Sequence, residues 1–150
     1  MGTRAVYCFM DDTFNTDEIF SVYKHWDGYP SGAADFLTKT IPFAWKLPRF
    51  EPADFASAFI TANKNEGGGD VYLTIGYQNH GDLEYYYEIS PSDKNGQLII
   101  RAFEVSYEGD DSILSEIFYG RLKDFVDTYG EYNTKVMWNK NDSSLNKLEV

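Results

Sequence analysis

In Leu83-Glu84-Tyr85-Tyr86-Tyr87-Glu88-Ile89-Ser90, an extended chain puts Leu83, Tyr85, Tyr87 and Ile89 on one side. Glu84, Tyr86, Glu88 and Ser90 fall on the other. The pattern predicts a strand with one face on a core and one toward solvent, as in an antiparallel sheet. Tyr85 and Tyr87 are expected in the core and Tyr86, between two glutamates, outside. Working outward, residues 71–78 and 98–107 read as neighbouring strands. Asn79-His80-Gly81-Asp82 and Ser92-Asp93-Lys94-Asn95-Gly96 read as hairpin turns between them. Residues 113–119 read as one more strand.

Upstream, residues 3–10 and 18–26 are rich in strand formers, and turn residues Asp11 to Asp17 lie between them, which predicts an opening hairpin. Ser31 is placed to cap a helix running to Ile41, which Pro42 stops. Pro52 fits the first turn of a second helix with the stripe Phe55, Ala58, Phe59 and Ala62. Asn65-Glu66-Gly67-Gly68-Gly69-Asp70 ends it; the run lacks the Lys-Ser/Thr of a phosphate loop and reads as a connector. Leu122, Phe125, Val126 and Tyr129 mark a helix over residues 121–129, closed by Gly130. From Asn139 the chain is polar and reads as a frayed tail. With no regular strand–helix alternation, the reading is one α+β domain over residues 1–138 and a tail over 139–150. Its sheet is antiparallel, with five to six strands and two to three helices.

A chain of 150 residues fits one domain, and its 17% aromatic content supplies a core. The single cysteine, Cys8, excludes an internal disulfide and a multi-cysteine zinc site; in an apolar run it reads as a small buried hydrophobe. With His25, His80 and Cys8 the only soft ligands, no metal site and no cofactor are expected. No signal-peptide pattern and no 18-residue apolar run occurs, and Val6 stands where a myristoylation signal wants Ser or Thr, so the chain reads as cytoplasmic with no membrane partner. The formal charge of −11 disfavours direct nucleic-acid binding. It has two readings: solubility, or an acidic face that docks on a basic protein. Glu104, Glu108, Asp110, Asp111 and Glu116 are the local concentration that an acidic face would use.

Chemistry-bearing side chains gather in His25-Trp26-Asp27-Gly28-Tyr29-Pro30-Ser31-Gly32. In an extended chain His25 and Asp27 face the same way, and a carboxylate beside an imidazole supports acid–base work. Trp26 and Tyr29 offer flat surfaces, the amides at Ser31, Gly32 and Ala33 form a seat for a small anion, and Arg4 on the neighbouring strand supplies a forked donor. The plain alternative is equally concrete: Asp-Gly is a turn dipeptide, Trp26 a core anchor and His25 a backbone-bonded turn residue. His80 reads as a solvated turn residue. No nucleophile elbow is present, and the chain is read as more a binder than an enzyme.

Met1-Gly2-Thr3-Arg4 followed by Tyr23-Lys24-His25-Trp26-Asp27-Gly28-Tyr29-Pro30 resembles a family of short, largely uncharacterised proteins of bacteriophages and prophages. The match covers about the first 32 residues. The resemblance implies an accessory role in the cytoplasm of a host cell, with Arg4, His25, Trp26, Asp27, Gly28, Tyr29 and Pro30 as the positions to examine. Three functions follow as expectations. One is a non-catalytic protein that binds and blocks a host factor, such as a defence complex, through an acidic surface. Another is a protein that binds or sequesters a nucleotide-like molecule at the His25–Gly32 turn. The third is an enzyme acting on such a ligand.

Overall fold

The computed structural model describes residues 2–11, 18–46, 49–64, 70–91 and 97–146, the side chains of Glu18 and of 141–146 excepted. Six strands form one sheet in the order β3-β2-β1-β4-β5-β6. They are β1 (Ala5–Asp11), β2 (Glu18–Lys24), β3 (Val71–Thr74), β4 (Tyr85–Pro91), β5 (Leu98–Glu108) and β6 (Asp111–Arg121). Helices α1 (Pro30–Thr40), α2 (Pro52–Asn63), α3 (Leu122–Tyr129) and α4 (Tyr132–Asn146) complete an α+β fold. The expected turns over residues 12–17 and 92–96, and the glycine connector over 65–69, lie outside the described residues.

Alternation along β1 divides the core in two. Ala5, Tyr7 and Phe9 face a large cluster with Val22, Tyr87, Ile89 and Ile100, to which all four helices contribute, among them Leu37, Phe59, Phe125 and Trp138. Each large apolar side chain fully buried there contributes roughly 1.5–3 kcal/mol of transfer free energy. Val6 and Cys8 point the other way, into a smaller cluster with Tyr23, Leu83, Tyr86 and Phe103 that contains no α-helical residue.

Three expectations need correction. The hairpin placed between residues 71–78 and 83–90 does not form, because β3 pairs with β2 and β4 pairs in parallel with β1. Residues 75–84 instead cross the helix-free face from the outer strand to the centre, passing through a 3-10 turn at Tyr77–Asn79. That strap explains the second correction: Tyr86 is buried, with the Tyr77 ring 4.5 Å from its own. Third, Tyr132–Asn146 is helical, anchored by Thr134 and Trp138 at i, i+4. The backbone helix thus continues past Asn139, where a tail was expected to begin. Cys8 is buried as expected, and burial raises its thiol pKa.

Candidate functional site

The amino-terminal segment and the His25–Gly32 turn form one packed unit. The Gly28 N–H donates to Thr3 O at 2.8 Å, and the buried Tyr87 hydroxyl donates to Gly28 O at 2.6 Å. A Cβ on Gly28 would stand 2.6 Å from Ala5 Cβ and 2.7 Å from Thr3 O, so only glycine lets the turn close on β1. Gly2 lies against the His25 carbonyl and the edges of the His25 and Trp26 rings. At the helix start, the Asp27 carbonyl presses so closely on Gly32 that no side chain fits between them.

This packing redirects the side chains expected to make a site. Asp27 adopts φ +57°, which ends the extended geometry, and its carboxylate accepts the Tyr29 hydroxyl at 3.1 Å. The expected His25–Asp27 pair is therefore replaced: His25 Nδ1 is hydrogen-bonded to Tyr23 Oη at 2.9 Å. Trp26 Nε1 donates to Asp70 Oδ2 at 2.9 Å, and the His25 N–H donates to the Asp70 carbonyl. Arg4 is engaged by Asp82 at 3.2 Å. Ser31 is not the cap of α1; Tyr29 holds that position, Pro30 is the first helical residue, and the Ala33 N–H is committed to Tyr29 O. The expected anion seat at Ser31, Gly32 and Ala33 is thus closed from one side by the turn's own backbone.

Around Tyr23 the structure assembles a cluster that the sequence pattern did not indicate. The His80 ring stacks on Tyr23, centroids 4.6 Å apart and planes within 9°, and His80 Nε2 meets Thr74 Oγ1 at 2.8 Å. His80 is therefore a fastening of the strap, not a solvated turn residue. Burial lowers its pKa, opposed by Asp82. Burial raises that of Tyr23, reinforced by Asp82 and Tyr72 and opposed by Arg4. Asp70, Asp82 and His80 come from segments remote from the turn in sequence, and only the β2–β3 pairing and the strap bring them there.

Compared with known protein families, curated proteins and solved structures, the chain matches none.

The acidic residues occupy the opposite edge of the sheet. Glu104, Glu108, Asp110 and Asp111 are exposed on the β5–β6 hairpin, whose turn carries Gly109 at φ +62°. The hairpin extends past the start of β4, since Tyr85 is paired with Glu104 and residues 105–114 run beyond it. Register separates the expected patch: Glu116 lies opposite Phe103 on the strap side and is tied by Arg101, while Glu104 lies on the helix side. Among the described residues no group of three or more His, Cys, Asp or Glu is arranged to hold a metal ion. Among the same residues no helix is long and apolar enough to cross a membrane.

Proposed function

We propose that this chain is a non-catalytic binding protein that docks on a basic surface of another protein through its β5–β6 hairpin. In keeping with the resemblance of its first 32 residues, the setting proposed is that of a phage- or prophage-type accessory protein in the host cytoplasm, blocking a host factor such as a defence complex. The observation that carries this reading is a division of labour among polar groups. Arg4, His25, Trp26, Asp27 and Tyr29 are each bonded to a partner within the chain, with Trp26, Asp27 and Tyr29 at the surface. Glu104, Glu108, Asp110 and Asp111 stand exposed on a projecting hairpin. Clustered carboxylates there steer a cationic surface into register and are screened by salt.

The test starts with capture of a partner from bacterial lysate and continues with that partner purified. Affinity is expected to fall as salt rises, and to fall at least about tenfold in the Glu108→Gln/Asp110→Asn/Asp111→Asn variant. Salt-independent binding, or binding unchanged in that variant, overturns the reading.

A nucleotide-like ligand at the turn is the second reading. It is favoured by Trp26 and Tyr29, which are 44% and 39% exposed on one turn and so present ring faces for stacking. It requires a nucleotide that raises the unfolding temperature of the wild type and not that of a folded Trp26→Ala variant.

A further inference from the structure

Along the strand direction, the His25–Gly32 turn and the acidic hairpin lie at the same end of the sheet. Register aligns Val71, Lys24, Ala5, Tyr85, Glu104 and Ser115 in one row across the six strands. Beyond that row stand residues 2–4, 25–29, 70, 82–84 and 105–114. Among them the exposed acids are Asp27, Asp82, Glu84, Glu108, Asp110 and Asp111. The basic groups are Arg4, which Asp82 engages, and His25. Four strand spacings, about 19 Å, separate β2 from β6. A partner protein covers roughly 800 Å² on each side of an interface, a patch about 30 Å across, so turn and hairpin fit within one footprint.

The turn adds an open aromatic face. Two tryptophans of similar exposure differ in what covers them. Trp45, 40% exposed, carries the Arg49 guanidinium over its ring at 3.5 Å, and Arg49 also meets the Glu51 carboxylate at 4.0 Å. Trp26, 44% exposed, packs at right angles to the His25 ring and against Gly2. Among the described residues no cation lies over it or over Tyr29. The Trp26 N–H is spent on the Asp70 carboxylate and the Tyr29 hydroxyl on that of Asp27. Each ring thus offers a π face with a carboxylate at its edge. Lysine satisfies a carboxylate as a point charge, whereas arginine stacks its plane on a ring while its N–H fork meets an acid. Arg49 already makes that double contact at Trp45.

We propose that the basic partner docks with an arginine stacked on Trp26 while neighbouring arginines meet the hairpin acids, so that turn and hairpin are one interface. This rests on the hairpin reading above and adds to it the other half of the surface and the residue type it takes. The stacked arginine supplies the part of the affinity that salt screens least, and the acids supply the part it screens most.

Titration with octa-arginine and octa-lysine peptides, followed by the indole N–H resonances of the tryptophans, tests the proposal. An extended octapeptide, about 26 Å long, spans the distance from β2 to β6. The Trp26 resonance is expected to move with octa-arginine, while those of Trp45, already covered, and Trp138, buried, stay in place. Octa-arginine should bind at least about threefold more tightly than octa-lysine, and Trp26→Ala should bring that ratio down to about one. The Trp26 resonance is read in the wild type, so this outcome does not depend on how the variant folds. A stationary Trp26 resonance at saturation, or no binding of either peptide, overturns the proposal. If Trp26 stays still while the Glu108→Gln/Asp110→Asn/Asp111→Asn variant loses binding, the single interface is refuted and the hairpin reading stands. Binding that moves Trp26 but is unchanged in that variant contradicts the hairpin reading, and the single interface falls with it.

Discussion

Tyr87 ties the core to the turn with one hydroxyl. Its ring is stacked on Tyr7 at 5.0 Å under the helices, and its Oη reaches the Gly28 carbonyl. Tyr87→Phe keeps the ring and leaves a buried carbonyl without its donor, which costs about 1–3 kcal/mol. Urea unfolding should show that loss as a lower midpoint at unchanged slope. Trp26→Phe removes the bond to Asp70 at an exposed position, where water replaces the lost partner, so less than about 1 kcal/mol is expected. The ordering of these two variants separates a packed clasp from a loose loop. If Trp26→Phe proves the more costly, the indole and not the backbone closure holds the turn.

At the scale of elements, the strap over residues 75–84 is fastened by His80 on Tyr23, by the Arg4–Asp82 ion pair and by Tyr107. The Tyr107 hydroxyl accepts the Leu83 N–H and donates to the His80 carbonyl. The His80 ring meets Tyr23 and Thr74, and Asp82 is the charge that acts on it. Because burial lowers the His80 pKa, the folded chain binds fewer protons than the unfolded chain just below the ordinary histidine value of 6.5. Its stabilising contribution is present above that pH and is lost as pH falls through the folded pKa. Unfolding free energy measured from about pH 7 to about pH 5 should therefore decline, and His80→Gln should flatten the part of the slope that belongs to this group.

The same elements show what was legible beforehand. Period-two alternation marked β1, β2 and β4, since side-chain direction is a local property of an extended chain. Which strand pairs with which is not local. Asn79-His80-Gly81-Asp82 has hairpin chemistry, yet the pairing of β3 with β2 turns it into part of a crossover, and Tyr86 is buried by the strap. α4 escaped notice because, among its described side chains, only Thr134 and Trp138 are buried, amid Asn and Lys. In the turn, the crowding of Arg4, His25, Trp26, Asp27 and Tyr29 was readable, but their partners Asp70 and Asp82 arrive from distant segments. The φ of Asp27, which separates the expected His25–Asp27 pair, is imposed by the close contact of its carbonyl with Gly32.

Across the whole molecule, tyrosine serves as core material on both sides of the sheet. Tyr7 and Tyr87 are buried under the helices and Tyr86 under the strap, and burial raises the pKa of all three. A raised folded pKa stabilises the protein fully below the ordinary value of 10.0, and that stabilisation is lost as pH rises above it. Absorbance at the phenolate band should show a fraction of the 12 tyrosines ionising only when the protein unfolds. Simple titration of every tyrosine near pH 10 would contradict the buried placement. The fold as a whole turns on the closure of the amino-terminal segment, the turn and β1 around Gly28, and the unfolding temperature of Gly28→Ala tests that closure most directly. A methyl group 2.6 Å from Ala5 Cβ must push the turn off the sheet, an overpacking cost of about 1–3 kcal/mol. At about 2–4 °C per kcal/mol for a chain of this size, a drop of about 2–12 °C is expected. An unfolding temperature within about 1 °C of the wild type would contradict the account, for the turn would then rest on the sheet without being built into it.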